Sequence, residues 1–251
     1  MVALKLFQID KIENDLGAAM TIPLKENRIF LLAHFVLLCI VLIGFGRTFY
    51  LRSLFLTQPL PLVLLLHGMA LSAWYGIVVL QGVLMIKAQR RWHVRVAWFV
   101  IPVVACVIAS GVQVNLNVAR QISSARSPEN MFVWGNFMSL VSFVILVTAG
   151  VVFRHRWVAH HRLIFFASLA IIGPAFARFA FWPAIGLGLA AAPIFAIAGM
   201  ILLVLLAVAY DVTIFRRVQR ATLAGLAGVL IPLIGGTAVA ITGVGFGLLH
   251  Q

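Results

Sequence analysis

Apolar residues run through this chain in long blocks, each closed by a short polar or basic stretch. The clearest block, Leu60 to Ile86, carries no formal charge and stops against Lys87, Arg90, Arg91 and Arg95. At roughly 1.5 Å per residue, such a helix exceeds the roughly 30 Å hydrocarbon core of a bilayer. Seven blocks of this kind predict transmembrane helices over about 28–49, 60–86, 93–114, 130–153, 162–182, 187–214 and 222–249. The expected fold is therefore an all-α integral membrane protein, a single seven-helix transmembrane bundle over 23–251. Residues 1–22 are mixed, with Val2, Leu4, Leu6, Phe7 and Ile9 suited to a short interfacial helix or a cytoplasmic tail. Pro102, Gly173–Pro174, Pro193 and Pro232 fall within blocks, where each proline removes a helix hydrogen bond and can kink the rod.

Polar residues inside the blocks are few and patterned. His67, Trp74 and Gln81 recur every seven positions, so they share one face of the second helix. Such a stripe belongs against other helices, not lipid. His67, Arg178, Asn136, Gln113 and Arg47 come from five different blocks at comparable depth, toward the ends opposite the basic loops. Together they predict a polar pocket in that half of the bundle. Only six carboxylates exist (Asp10, Glu13, Asp15, Glu26, Glu129 and Asp211), and Glu129 alone lies at the pocket end. One acid cannot neutralise both Arg47 and Arg178. A ligand with a carbonyl or anionic group is the expected partner: a haem propionate, a quinone oxygen or a lipid phosphate. The simpler alternative has Arg178 reaching the nearby headgroups or pairing with Glu129.

Charge sets the orientation. The chain has 19 Lys and Arg against 6 Asp and Glu, a net +13, yet only 10% of its residues are charged. A soluble domain would carry about 25%. Fourteen cations fall on one side, in the N-terminal segment and the loops after the second, fourth and sixth blocks; Arg47, Arg52, Arg120 and Arg126 fall on the other. By the positive-inside rule the N-terminus is cytoplasmic and the C-terminus extracytoplasmic. Cations so placed suit anionic lipid headgroups and argue against nucleic acid as a partner. Cys39 and Cys106 lie mid-block, unpaired by any CxxC spacing. A retinal protein is excluded because the only lysines are Lys5, Lys11, Lys25 and Lys87, none in the last block. A cation-coupled carrier is disfavoured, since Asp211 is the sole acid offered within a span.

The other cluster of interest lies toward the basic loops. His34, His93, His155, His160 and His161 gather there, and the run HRWVAHH is similar to one histidine box of membrane di-iron desaturases. Those enzymes need several such boxes, and the plainer reading is loop residues at lipid phosphates. A bis-histidine b-type haem needs two histidines facing at one depth, for which His34 with His93 or His161 is the nearest option. No P-loop, nucleophile elbow or metal box with the required spacing occurs, so the sequence assigns no enzymatic reaction. The last block is rich in glycine and predicts close helix packing, either within the bundle or against a membrane-protein partner.

The run LPLVLLLHGMALSAWYGIVVLQGVLMIKAQRRWHVRVAW, with HHRLIFFASLAIIGPAFAR later, resembles a group of uncharacterised bacterial multi-pass membrane proteins. These carry an LHG…W…Q…H helix and a later HR-L…A…R helix. The positions that match are His67, Gly68, Trp74, Gln81, His93, His161, Arg162 and Arg178. Val94 stands where the group has arginine after its histidine. The resemblance covers about half the chain and implies a bacterial inner-membrane location, without an activity to carry over. A looser likeness to small cytochrome-b-type proteins rests on helix count and helix-end histidines. The expected function is binding of a haem, quinone or similar lipophilic ligand in a redox chain, through His67, Arg178, Trp74, Gln81, Asn136, Arg47 and His34. The alternatives are a structural subunit of a larger complex, or a permease or lipid-handling protein.

Overall fold

A computed structural model of the chain describes residues 25–124 and 128–249, so the segment expected as a tail over 1–22 lies outside it. Among the described residues the chain is all helical, with no strand. In order come α1 (Lys25–Gly44), α2 (Leu62–Ile86), α3 (Arg90–Ala119) and α4 (Pro128–Val152). A bent pair follows, α5 (Trp157–Ala170) and α6 (Gly173–Phe181), then α7 (Gly188–Phe215), α8 (Arg220–Thr242) and a short α9 (Val244–Leu249). Six helices are each long and apolar enough to cross a membrane, and the bent pair α5–α6 would make a seventh.

Side-chain contacts fix how these rods run. Leu31, early in α1, packs on Gly82 late in α2, while Phe49, just past α1, packs on Gly68 early in α2. Gln81 late in α2 donates to the His93 carbonyl early in α3, and His67 early in α2 meets Ser110 late in α3. Gly150 near the end of α4 faces Ile164 of α5, and Arg162 of α5 reaches Asp211 near the end of α7. Asn130, opening α4, donates to the Ala240 carbonyl near the end of α8. Successive rods are thus antiparallel, an up-and-down bundle. Lys25, Lys87, Arg90, Arg154, Arg216 and Arg220 all mark one end of it, called here the basic end.

The breaks follow from local chemistry. Between α5 and α6 the axis turns by 46°. Pro174 there has no N–H to donate back, and it occupies the first turn of α6, where none is needed. The kink expected at Gly173–Pro174 is real. Pro193 and Pro232 sit inside unbroken helices, and Pro102 lies in the first turn of the Val100–Ala119 segment of α3. Two expectations need correction. The first block does not stay α-helical to residue 49: α1 stops at Gly44, and a π-helical turn follows at Gly46–Tyr50. Gly44 lies so close to the Ala175 carbonyl that no Cβ would fit, which seats the end of α1 directly against α6. The last block does not run unbroken to residue 249 either. Gly243 takes φ 73°, ends α8 in a left-handed cap and separates α9 from it. Gly243 and Gly247 therefore do not share one continuous helix.

The interior is built from large side chains set into glycine notches. Phe166 fills the space over Gly225, Leu146 that over Gly228 and Met138 that over Gly236, locking α8 to α5 and α4. Such packing is what holds helices together where lipid removes the hydrophobic difference between inside and outside. The glycine face of α8 is thus used within this chain. Trp74, Tyr75, Phe143, Phe166 and Leu169 form the fully buried centre. On the perimeter, Ile194, Ile197, Ile201 and Leu205 give α7 an uninterrupted exposed apolar face, as hydrocarbon requires.

Candidate ligand cavity

A cavity of about 430 Å³ opens at the end of the bundle opposite the basic end. Its walls come from the end of α1 and the turns after it, α2, α3, α4 and the α5–α6 bend. Phe45, Phe49, Leu64, Leu71, Phe132 and Leu140 supply most of the surface. Phe132 to Leu140 lines it along α4, a depth of roughly 12 Å at 1.5 Å per residue.

The few polar groups converge on this apolar space. His67 bonds to the Ser110 hydroxyl through Nδ1 at 3.0 Å, which leaves Nε2 for another partner. Arg178 donates to the Pro174 carbonyl at 2.9 Å, and its guanidinium carbon stands 4.2 Å from the centre of the Phe45 ring. Its charge is spread over that ring but not neutralised. Among the described residues no carboxylate pairs with Arg178, whereas Arg162 makes two ion pairs. Asn136 also lines the cavity, and so does Thr48, whose hydroxyl is buried without a partner. An apolar cleft with a handful of unsatisfied, converging polar groups is the usual form of a small-molecule site.

Of the residues the sequence singles out, His67, Arg178 and Asn136 come together here and the others do not. Arg47 donates to the Phe181 carbonyl and lies over the Phe55 ring, fastening the π-helical turn to α6 outside the cavity. Gln113 bonds to Asn117 along the exposed side of α3. Trp74 is packed below the cavity floor, edge-on to Phe143 at 4.7 Å between centroids, with its N–H on the Ser168 hydroxyl. The Ser168 carbonyl accepts from Tyr75 at 2.8 Å. Gln81 spends its amide on the His93 carbonyl, near the basic end. The seven-residue stripe on α2 is one face with three jobs: a cavity wall, a core and an interhelical tie. Asn115, Ser139 and Thr48 also line the cavity and were missed: Asn115 and Ser139 bond back to their own helices and look structural, and a lone threonine in an apolar block carries no signal of its own.

The histidines near the basic end are not lipid-facing, with the exception of exposed His155. His34 is buried, donates from Nδ1 to the Phe30 carbonyl at 2.7 Å and meets Phe165 edge-on. His160 donates to the Gly150 carbonyl at 2.8 Å, and His161 stacks on Phe30 at 5.2 Å. His160 and His161 face inward because α5 starts at Trp157, which carries them into the bundle instead of leaving them in a loop. Among the described residues no group of His, Cys, Asp and Glu is arranged to hold a metal ion.

A haem in the cavity would need axial donors, and one histidine without any methionine or cysteine lines it. The lining does not fit a six-coordinate b-type haem. It does fit a smaller head bearing a carbonyl or an anion. Compared with protein-family models, curated proteins and solved structures, the chain finds no match.

Proposed function

We propose that this chain is a seven-span protein of the bacterial inner membrane, N-terminus cytoplasmic, whose extracytoplasmic-side cavity binds an amphiphile of the quinone class. The observation that carries the reading is Arg178, a guanidinium with no carboxylate partner among the described residues, on the wall of a mostly apolar cavity. Leaving such a charge beside hydrocarbon is costly, and a ligand oxygen offsets that cost. His67 Nε2 and the Asn136 amide offer further hydrogen bonds at the same head, and the Phe and Leu walls take the ring and the start of a tail. The orientation rests on the basic end, where most Lys and Arg residues gather.

The test is direct. Purified full-length protein is extracted with organic solvent and assayed for co-purified quinone, and a water-soluble quinone analogue is titrated against it. Arg178→Met removes a hydrogen bond from a charged donor, worth about 1.5–3 kcal/mol, so Kd rises roughly 10- to 150-fold. Gln113→Ala, which alters no cavity wall, leaves Kd unchanged. Equal affinity in wild type and Arg178→Met defeats the proposal, and so does an extract and titration in which no quinone binds.

A further inference from the structure

At the basic end, α1, α5, α7 and α8 are tied by a cluster of charges that lie far apart in the sequence. Arg162 is 2% exposed and Glu26 and Asp211 are both 0% exposed. The Arg162 guanidinium donates to Glu26 Oε1, to Asp211 Oδ1 from two of its nitrogens, and to the Val158 carbonyl. Asp211 Oδ2 takes two more bonds, from the Gln219 backbone N–H at 2.9 Å and from the Thr222 hydroxyl. The rings of Phe30, Tyr210 and Phe215 enclose the guanidinium at 5.4, 5.8 and 5.1 Å.

The two acids are not equivalent. Four donors hold Asp211, as a carboxylate requires. Glu26 has one, and its Oε2 is buried with no partner at all. Counted as charges, one guanidinium faces two carboxylates, leaving an excess negative charge in a box of aromatic rings. Among the described residues no other cation relieves it: Lys25 and Arg28 on α1, and Arg216, Arg217 and Arg220 near α7 and α8, are all exposed. His161 of α5 stacks on the far neighbour, Phe30, and Tyr210 of α7 adds only a neutral phenol. A buried charge without a partner costs several kcal/mol, and a titratable group in that position takes up a proton instead. Two carboxylates at one cation share the load the same way, one ionised and one neutral.

We propose that Glu26 is a buried proton-binding site, with one exchangeable proton on Oε2 balancing the Glu26–Arg162–Asp211 cluster to zero net charge. The proton adds to a carboxylate oxygen and leaves from it, with no other bond made or broken. Release puts the excess negative charge back at the junction of four helices, which gives the chain a place where proton uptake from the basic side changes how tightly that end is clasped. The inference is independent of the ligand in the opposite cavity.

Infrared difference spectroscopy of the purified full-length protein, between near-neutral and alkaline pH, tests it. Wild type should lose a protonated-carboxyl band on alkalinisation, and isotope-labelled glutamate should shift that band. This arm needs no variant, so it holds even where a substitution impairs folding. E26Q should lack the band. D211N, which leaves one cation and one acid, should lack it as well although Glu26 is still present. A band that ignores the glutamate label, a band that persists in D211N, or no band in wild type overturns the assignment. So does a melting temperature that rises with sodium over potassium at equal ionic strength in a band-free wild type, since the occupant would then be a metal cation.

Discussion

Two arginines, one at each end of the bundle, show how differently a buried cation can be treated. Arg162 is held among three aromatic rings and two carboxylates, with nearly every N–H given a partner inside the protein. Arg178 has one ring and one backbone carbonyl, and the rest of its fork looks into open space. Both cations meet a desolvation cost, although Arg178 is only partly buried. At the basic end the chain supplies the counter-charge itself, so that cluster is architecture with a titratable member. At the other end the described residues supply none, and the proposed ligand is what would complete the site. A charge fully answered within the fold tells of stability; one left unanswered beside a cavity tells of binding.

The comparison predicts its own largest effect. Arg162→Met leaves Asp211 without its cation and removes the tie of α5 to α1 and α7, and breaking a buried pair from one side costs about 3–5 kcal/mol. Unfolding in mixed detergent micelles should show that loss directly. Arg162→Lys should rescue only part, because three ammonium donors on a point charge cannot replace the four bonds that the planar guanidinium makes. A variant as stable as wild type would mean that the cluster is open to water and that the contrast with Arg178 is false.

An intermediate case lies between them. Arg47 is half-buried, donates to one carbonyl and lies 5.9 Å from the Phe55 ring, with no ion pair to a described acid. Its loss detaches the π-helical turn from α6 but opens no core, so Arg47→Met should cost about 1 kcal/mol in the same assay. The ligand affinity should change less than in the Arg178 variant, since Arg47 reaches the cavity only through the turn it fastens.

How much of this was legible in the residues divides along the same line. Apolar length and basic punctuation were enough for the helices, because a membrane enforces both. The kink at Gly173–Pro174 was legible for the same reason that proline is always legible: it lacks a donor. His67, Arg178 and Asn136 could be grouped because each is polar, sits within an apolar block and lies near the same end. The basic-end cluster was hidden. Arg162 looks like one more loop cation, and Glu26 and Asp211 stand far apart in the chain, at helix ends where charges normally meet water. Only the packing of α1 and α5 beside the antiparallel α7 turns three helix-end charges inward together. The stop at Gly243 was hidden differently, since glycine both packs helices and ends them, and composition does not say which.

The smallest effect on stability is also the sharpest test of the contrast. Arg178→Met forfeits one hydrogen bond to the Pro174 carbonyl and the approach to Phe45, worth about 0.5–2 kcal/mol for a cation over a ring. Against this, it removes an unpaired charge from the edge of the hydrocarbon region and puts in a flexible apolar chain that fills irregular space well. The terms oppose one another, and the net change in unfolding free energy should stay within about 0.5 kcal/mol, the range of substitutions that disturb no packed feature. Binding responds the other way, because the ligand meets Arg178 and not the bundle as a whole. A variant that folds as firmly as wild type but has lost its quinone separates the two arginines by function. One that unfolds as readily as Arg162→Met would make them the same kind of residue, and the cavity a gap in the packing.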